Sequence, residues 1–344
     1  MIEKKIFKKS KSLCVDKFFD VVMYDKKIGY YSKKNPFNFT GDYITAPNIS
    51  PLFSEIVAIW IILTWEKLNK PKKINIVELG PGNGKMAKML CKTFQNFPNF
   101  KNKYNMYLYE KSNFLKEIQK KETSKFKVKW VNSFNEISKF PVIFVGNEFV
   151  DAIPIKQIIK KKGIFYEKYF VLKKNKIREE YKKINKTTLK LLKNFKSIKN
   201  NKFIEFPLMA FEELKKITDL VCKQKGAILL IDYGYTKSNN ENTLQSVRKH
   251  KFNSLLKNLG ESDVTSLVNF KLIKEYIEQK KIKVDKIITQ SQFLKKNGIM
   301  ERAEIISKKM NFLEKSDLYY RIKRLTNQHQ MGELFKVLEA LKKA

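Results

Sequence analysis

Short apolar runs alternate with segments of helical periodicity through the middle of the chain, and this alternation predicts the core of the fold. The strands predicted there cover residues 74–79, 104–109, 126–131 and 141–145, and the helices between them begin at Gly84 and Ser112. Strands separated by helices are typical of β-α-β units. We therefore expect an α/β fold with a largely parallel sheet.

Further elements are predicted before and after this central part of the chain. Apolar spacing predicts helices over 13–25 and 51–68, the second with Ser50 as its N-cap, and alternation about Gly163 predicts a hairpin within 155–184. Later elements are predicted over 207–223, 227–232, 283–289, 302–310, 315–326 and 334–338.

These elements predict one sheet domain that is interrupted by a smaller region. We expect a helical region over residues 1–70, a sheet domain built from 71–154 and 205–344, and an insertion over 155–204. The insertion should contain the hairpin and a following helix.

The net charge of +37 would by itself favour a nucleic-acid or anionic partner through counterion release. Nearly all of this charge is lysine, whereas proteins that read nucleic acids rely on arginine for bidentate contacts. Lysine spread evenly beside abundant asparagine and isoleucine favours a genome-wide composition bias. Nucleic acid is therefore not expected as a partner.

Three features bear on where the protein works. Cys14, Cys91 and Cys222 stand far apart, which favours a reducing compartment. The apolar run 56–63 is much shorter than the roughly 20 residues that span a bilayer, so no transmembrane segment is expected. Residues 1–11 lack an apolar core and a cleavage motif, which predicts a bacterial cytoplasmic protein rather than one imported into the mitochondrial matrix.

The segment 77–84, VELGPGNG, joins a predicted strand to a predicted helix through three glycines. Glycine lets a ligand approach the backbone N–H groups and the helix N-terminus. A dinucleotide fingerprint would need glycine at position 85, which is Lys85, and a phosphate-binding loop would need a hydroxyl at position 86, which is Met86. The remaining pattern, Glu-x-Gly-x-Gly-x-Gly, is typical of class I methyltransferases that use S-adenosylmethionine.

The second β-α unit supports the same cofactor. Glu110 follows the strand 104–109, where a carboxylate can accept two hydrogen bonds from a ribose diol. We expect the region 1–70 to cover this cofactor site. The candidate cofactor-binding residues are Glu78, Gly80, Pro81, Gly82, Gly84 and Glu110.

The residues after the fourth strand should face the transferable methyl group, because ligands of open α/β sheets bind beyond the carboxyl ends of the strands. Asn147, Glu148 and Asp151 stand there and are the candidate catalytic residues. Two carboxylates suit a cationic acceptor, above all a guanidinium. The alternative is that Glu148 or Asp151 caps a helix that begins near Pro154. No metal is expected, since the two histidines, His250 and His329, lie far apart in the sequence.

A succession of motifs resembles the MidA-like methyltransferase family nearly from end to end. The motifs are GYYS at 29–32, GDYITAP at 41–47, ISPLF at 49–53, VELGPGNG at 77–84, NEFVDAIP at 147–154, IDYG at 231–234, TLQ at 243–245 with Arg248 and His250, TQ at 289–290 with FL at 293–294, and MGELFKVL at 331–338. Asn83, Lys85 and Asn269 depart from the family pattern.

The resemblance implies a class I methyltransferase fold, with a Rossmann-like seven-stranded sheet and an inserted smaller region. It also implies a protein substrate, namely N-methylation of an arginine in a core peripheral-arm subunit of respiratory complex I, which supports assembly of that complex. By carry-over, Asp42 and Tyr43 are expected to line the cofactor or acceptor pocket, and Asp232, Tyr233 and His250 to shape the acceptor side as substrate-binding residues.

Two other functions remain open from the sequence. One is methylation of RNA or another nucleic acid, which would use the basic surface. The other is a non-catalytic assembly factor that binds S-adenosylmethionine without turnover.

Overall fold

The computed structural model describes residues 2–33, 44–237, 240–248 and 251–343. The strands in these ranges are β1 Ser12–Cys14, β2 Ile74–Leu79, β3 Tyr104–Tyr109, β4 Val128–Val131, β5 Val142–Asn147, β6 Lys156–Lys161, β7 Ile164–Lys173, β8 Lys176–Lys183, β9 Phe203–Phe206, β10 Gly226–Tyr235, β11 Gln245–Arg248, β12 Lys251–Asn253, β13 Asp263–Thr265, β14 Val268–Asn269, β15 Lys283–Val284, β16 Ile288–Thr289 and β17 Phe335–Lys342.

The helices in the same ranges are α1 Ile2–Ile6, α2 Val15–Tyr24, α3 Tyr30–Lys33, α4 Ala46–Ile49, α5 Pro51–Lys67, α6 Lys85–Phe94, α7 Asn113–Glu122, α8 Lys186–Lys193, α9 Leu208–Gln224, α10 Phe270–Glu278, α11 Gln290–Lys296, α12 Ile299–Ser307, α13 Phe312–Thr326 and α14 Met331–Leu334, with a 3-10 turn at Phe134–Glu136. None of these helices has both the length and the apolar content needed to cross a membrane.

The chain divides into two compact units. The sheet unit consists of Ile44–Phe149, Lys216–Gly234 and Lys280–Ala344, and the companion unit consists of the three remaining stretches, Met1–Tyr43, Val150–Lys215 and Tyr235–Gln279. In this grouping the sheet unit includes α5, which the sequence analysis assigned to the helical region 1–70. The predicted sheet domain was 71–154 with 205–344, and the predicted insertion was 155–204. Most sides of α5 are apolar, and its buried Trp60, Ile61 and Trp65 pack in the core of the sheet unit.

The sheet unit is built on a seven-strand path in the order β15-β17-β10-β5-β2-β3-β4. The strands from β10 to β4 are parallel, and β17 runs antiparallel to β10. The central strands β2 and β5 are buried along their whole length and are mostly apolar, as expected for a sheet covered by helices. The predicted strands 74–79 and 104–109 are confirmed, whereas 283–289 forms two short strands, β15 and β16, that both pair with β17.

The companion unit contains an antiparallel sheet in the order β1-β7-β6-β9, with β8 paired to β7. The hairpin predicted about Gly163 is present between β6 and β7, and Gly163 has a φ of +78° there. A smaller sheet has the order β12-β11-β13.

A buried lysine lies inside the companion unit. The Lys156 Nζ atom is 2.6 Å from Glu167 Oε1 and 3.0 Å from Asp16 Oδ2, and all three side chains are buried. Burial lowers the pKa of Lys156, but the two carboxylates outweigh this effect and leave the pKa raised. Burial and the neighbouring Asp16 raise the pKa of Cys14 to about 12, so its thiol stays protonated. Lys156 thus joins α2, β6 and β7 through charge.

Replacing this lysine should destabilise the protein. The change Lys156→Met leaves two buried carboxylates without their counter-ion, and such a loss costs about 3–5 kcal/mol. Urea unfolding of this variant should show that decrease, whereas the exposed Lys176→Met on β8 should change stability by less than about 0.5 kcal/mol. Equal stabilities of the two variants would show that the buried cluster contributes nothing.

Candidate cofactor and acceptor site

The glycine turn between β2 and α6 depends on left-handed backbone at three positions. Gly80, Gly82 and Gly84 have φ values of +61°, +56° and +82°, which residues with side chains rarely adopt. A Cβ on Gly84 would also lie 3.2 Å from the Cα of Gln119. Within the turn, the Gly84 N–H donates to the carbonyl of Pro81 at 2.9 Å. The three glycines therefore allow both the turn and its close contact with α7.

One buried amide connects this turn to Glu110. Gln119 Nε2 donates to the carbonyl of Gly82 at 2.9 Å and to Glu110 Oε2 at 3.2 Å, and Gln119 Oε1 accepts from Trp130 Nε1 at 2.9 Å. The Ser112 N–H donates to Glu110 Oε1 at 2.7 Å. A carboxylate has about four acceptor positions, so Glu110 is held in place while keeping capacity for a ribose diol.

Glu78 is a deeply buried carboxylate near the end of β2. Only 2% of it is exposed, and its Oε2 atom has no hydrogen-bond partner among the described residues. Burial raises the pKa of Glu78 well above the ordinary carboxyl range. A buried acceptor without a partner is costly, and a cationic ligand would satisfy it. Glu78 thus fits the amino and sulfonium end of S-adenosylmethionine.

The segment after β5 is shaped by strained backbone. Glu148 has a φ of +54°, and its N–H donates to the carbonyl of Ile231 on β10 at 2.8 Å. Asn147 Nδ2 donates to Glu148 Oε1 at 3.1 Å, while the buried Asn147 Oδ1 has no hydrogen-bond partner among the residues described. A left-handed non-glycine residue is a form of strain that is often found at functional sites.

The strand ends bring the predicted residues of the sheet unit to one edge. Leu79 pairs with Tyr109 on one side and with Gly146 on the other, and Asn147 pairs with Ile231. The residues that follow these strand ends are therefore neighbours along one edge, which is where open α/β sheets bind ligands. They include the predicted Gly80, Glu110 and Glu148, whereas Asp232 lies within β10, directly after Ile231.

The remaining predicted residues have different surroundings. Asp232 is buried and accepts from the Tyr233 N–H at 3.0 Å, and the Tyr233 ring lies 5.5 Å from that of Phe335. Asp151 is also buried but belongs to the companion unit. Asp42, Tyr43 and His250 lie outside the described residues.

Gln119 and Trp130 support the candidate cofactor site through hydrogen bonds, and the sequence analysis missed both. Gln119 lies four positions after Leu115 on α7, and both are buried, so helical spacing could have placed this amide on the inner face. No pattern in the sequence pairs it with Gly82 or Trp130, because these partners come from separate segments. Asn83 is also engaged, as its Nδ2 donates to Asn48 Oδ1 at 2.9 Å.

Comparison with known proteins agrees with this geometry. Residues 56–288 match the family described as "Putative S-adenosyl-L-methionine-dependent methyltransferase". A solved protein from Burkholderia thailandensis, bound to S-adenosyl-homocysteine, has the same fold, with a TM-score of 0.83 at 20% identity over 99% of this chain and 90% of that one.

Two curated relatives match most of the chain. The mitochondrial protein arginine methyltransferase NDUFAF7 of Xenopus tropicalis is 26% identical, over 94% of this chain and 81% of its own length. The human protein of the same name is 24% identical, over 94% of this chain and 78% of its own length.

The parallel sheet and the glycine turn define a class I methyltransferase, with the seven-stranded architecture expected from the sequence. Since the family match covers more than half of the chain, the protein belongs to the S-adenosylmethionine-dependent methyltransferases of this MidA-like family. It is an enzyme, and S-adenosylmethionine is its cofactor. The prediction of a bacterial cytoplasmic protein is wrong, because the curated relatives are mitochondrial proteins.

Removing the charge of Glu78 should have opposite effects on stability and on cofactor binding. Because the folded-state pKa is raised, wild-type stability falls as pH rises from the unfolded value towards the folded one. The neutral side chain of Glu78→Gln does not ionise, so the stability of this variant does not fall with pH in this way. Without cofactor, its free energy of unfolding should exceed that of wild type by about 1–3 kcal/mol near pH 8, and by less near pH 5. Its affinity for S-adenosylmethionine should fall about tenfold or more, because a charged hydrogen bond is lost.

Thermal unfolding of the cofactor-free protein and calorimetric titration measure these two effects. Glu117→Gln on the exposed face of α7 is the matched control and should alter neither quantity. Unchanged cofactor affinity in Glu78→Gln would remove Glu78 from the cofactor site.

Proposed function

We propose that the protein is a protein-arginine N-methyltransferase, whose substrate is a core peripheral-arm subunit of respiratory complex I and whose activity supports assembly of that complex. The observation that carries this proposal is the Asn147–Glu148 pair at the end of β5, where a carboxylate and a buried amide oxygen stand side by side. The names of the curated relatives, which match the chain nearly from end to end, support the arginine acceptor.

Both groups of this pair accept hydrogen bonds from a cation. A guanidinium presents planar N–H groups, and a carboxylate accepts two of them in parallel. Glu148 would hold the positive charge on the side of the guanidinium away from the attacking nitrogen, which leaves the lone pair of that nitrogen available. Asn147 Oδ1 would accept a further N–H and fix the plane of the group.

The bound cofactor supplies an electrophilic methyl group on its sulfonium. When bound, the cofactor would give this methyl to the guanidinium nitrogen, leaving S-adenosyl-homocysteine, and one proton would pass to water. The chain contributes orientation and electrostatic stabilisation rather than a covalent intermediate. Glu78, Gly80, Pro81, Gly82, Gly84 and Glu110 are the residues proposed to bind the cofactor.

The acceptor side requires further residues. Asp151 is proposed as a second carboxylate for the acceptor, and Asp42, Tyr43 and His250 as substrate contacts by resemblance alone. Two further proposed substrate residues, Asp232 and Tyr233, follow Ile231, whose carbonyl accepts the Glu148 N–H.

Neutralising Glu148 should nearly abolish methyl transfer without weakening the binding of the cofactor. Glu148→Gln keeps the shape and the hydrogen bond to Asn147 but loses the charge that orients a guanidinium, so the rate of methylation should fall about 100-fold or more. The assay uses the purified complex I subunit with S-adenosylmethionine, and mass spectrometry identifies methylated arginines. Calorimetry should give wild-type affinity for S-adenosylmethionine.

Glu66→Gln on the exposed surface of α5 is the matched control and should retain the wild-type rate. Unchanged turnover of Glu148→Gln would remove Glu148 from the reaction. Methylation of RNA, with no arginine methylation of the subunit by the wild-type protein, would contradict the proposed substrate class.

A further inference from the structure

Helix α13 of the sheet unit presents large apolar side chains to solvent. Phe312, Leu313 and Tyr320 are 82%, 76% and 65% exposed, and Tyr319 is 37% exposed. Their spacing, i, i+1, i+7 and i+8, places them on one side of the helix over two turns. We call these four residues the α13 outer face. The opposite side of the helix is buried in the core of the unit through Leu318, Ile322 and Leu325.

The charges around the α13 outer face are predominantly positive. Its acidic neighbours are already engaged, since Glu314 Oε2 accepts from the Asn311 N–H at 2.9 Å and Asp317 pairs with Arg321 at 2.8 Å. The flanking cations form no ion pair within the described part of the chain, and they are Lys308, Lys309, Lys315, Lys323 and Arg324.

These charges decide which partner suits the face. A second copy of the chain would bring the same cations opposite each other, so self-association would be opposed by like charge. An anionic surface would be attracted instead, and lysine and arginine side chains can reach headgroups while their apolar stems cover the apolar region. An apolar face with aromatic residues, flanked by cations, is the pattern of helices that lie in the interface of a membrane.

We propose that the α13 outer face binds the surface of anionic lipid membranes, with Phe312, Leu313 and Tyr320 inserted at the headgroup boundary. The contact is peripheral, with the helix lying in the plane of the interface.

The test must separate this face from the diffuse attraction of a chain with a net charge of +37. The triple change Phe312→Ser, Leu313→Ser and Tyr320→Ser leaves the charge untouched. Flotation with vesicles of phosphatidylcholine, and of phosphatidylcholine mixed equally with phosphatidylglycerol, is measured at physiological ionic strength, where diffuse charge effects are screened. The wild-type protein should bind only the anionic vesicles. The affinity of the triple variant for these vesicles should be lower by at least about tenfold, because its apolar contact is lost.

A matched control changes exposed apolar residues elsewhere in the sheet unit. Phe114→Ser with Phe140→Ser alters side chains that are 43% and 40% exposed, and this variant should bind vesicles as the wild-type protein does. Circular dichroism should show that both variants are folded. Equal binding by the triple variant and wild type would overturn the proposal, as would wild-type binding to neither vesicle. A dimer in light scattering that only the triple variant loses would assign the face to a second copy instead.

Discussion

The placement of α7 against the glycine turn depends on the buried amide of Gln119. This one side chain holds the carbonyl of Gly82, the carboxylate of Glu110 and the indole of Trp130 together. A Cβ on Gly84 would lie 3.2 Å from the Gln119 Cα, so the glycine allows α7 to approach the turn closely. The same hydrogen bonds therefore hold both the turn and the carboxylate of Glu110, which we propose binds the ribose.

The two buried carboxylates near this contact, Glu110 and Glu78, differ in their hydrogen bonding. Glu110 is held by hydrogen bonds, whereas Glu78 is left with a buried oxygen that no described residue satisfies. The first arrangement fixes a carboxylate for neutral hydroxyls, and the second stores an unfavourable interaction that a cation relieves. We propose that Glu110 orients the ribose and Glu78 the cationic end of S-adenosylmethionine.

Much of the fold could be predicted from sequence because its signals are local. The apolar runs 74–79 and 104–109 match β2 and β3, and Ser50 caps α5 as expected, since each depends on a few adjacent residues. Long-range contacts escaped prediction for the same reason. The buried Lys156 is held by carboxylates from α2 and β7, which no local pattern brings together.

In the candidate site, too, features set by neighbouring residues could be predicted, and features set by contacts between separate strands could not. The glycine turn and Glu110 could be predicted from spacing, because consecutive parallel strands end at one edge. Neither the left-handed backbone of Glu148 nor the unsatisfied amide of Asn147 has a signature in the sequence, since both arise from the packing of β5 beside β10.

A crystal structure with S-adenosyl-homocysteine tests the central claim most directly. The account predicts that the amino group of the ligand lies within hydrogen-bond distance of Glu78 Oε2, and that both ribose hydroxyls donate to Glu110 while Gln119 keeps its contacts. A ligand bound elsewhere, or one that leaves Glu78 Oε2 without a partner, would contradict it.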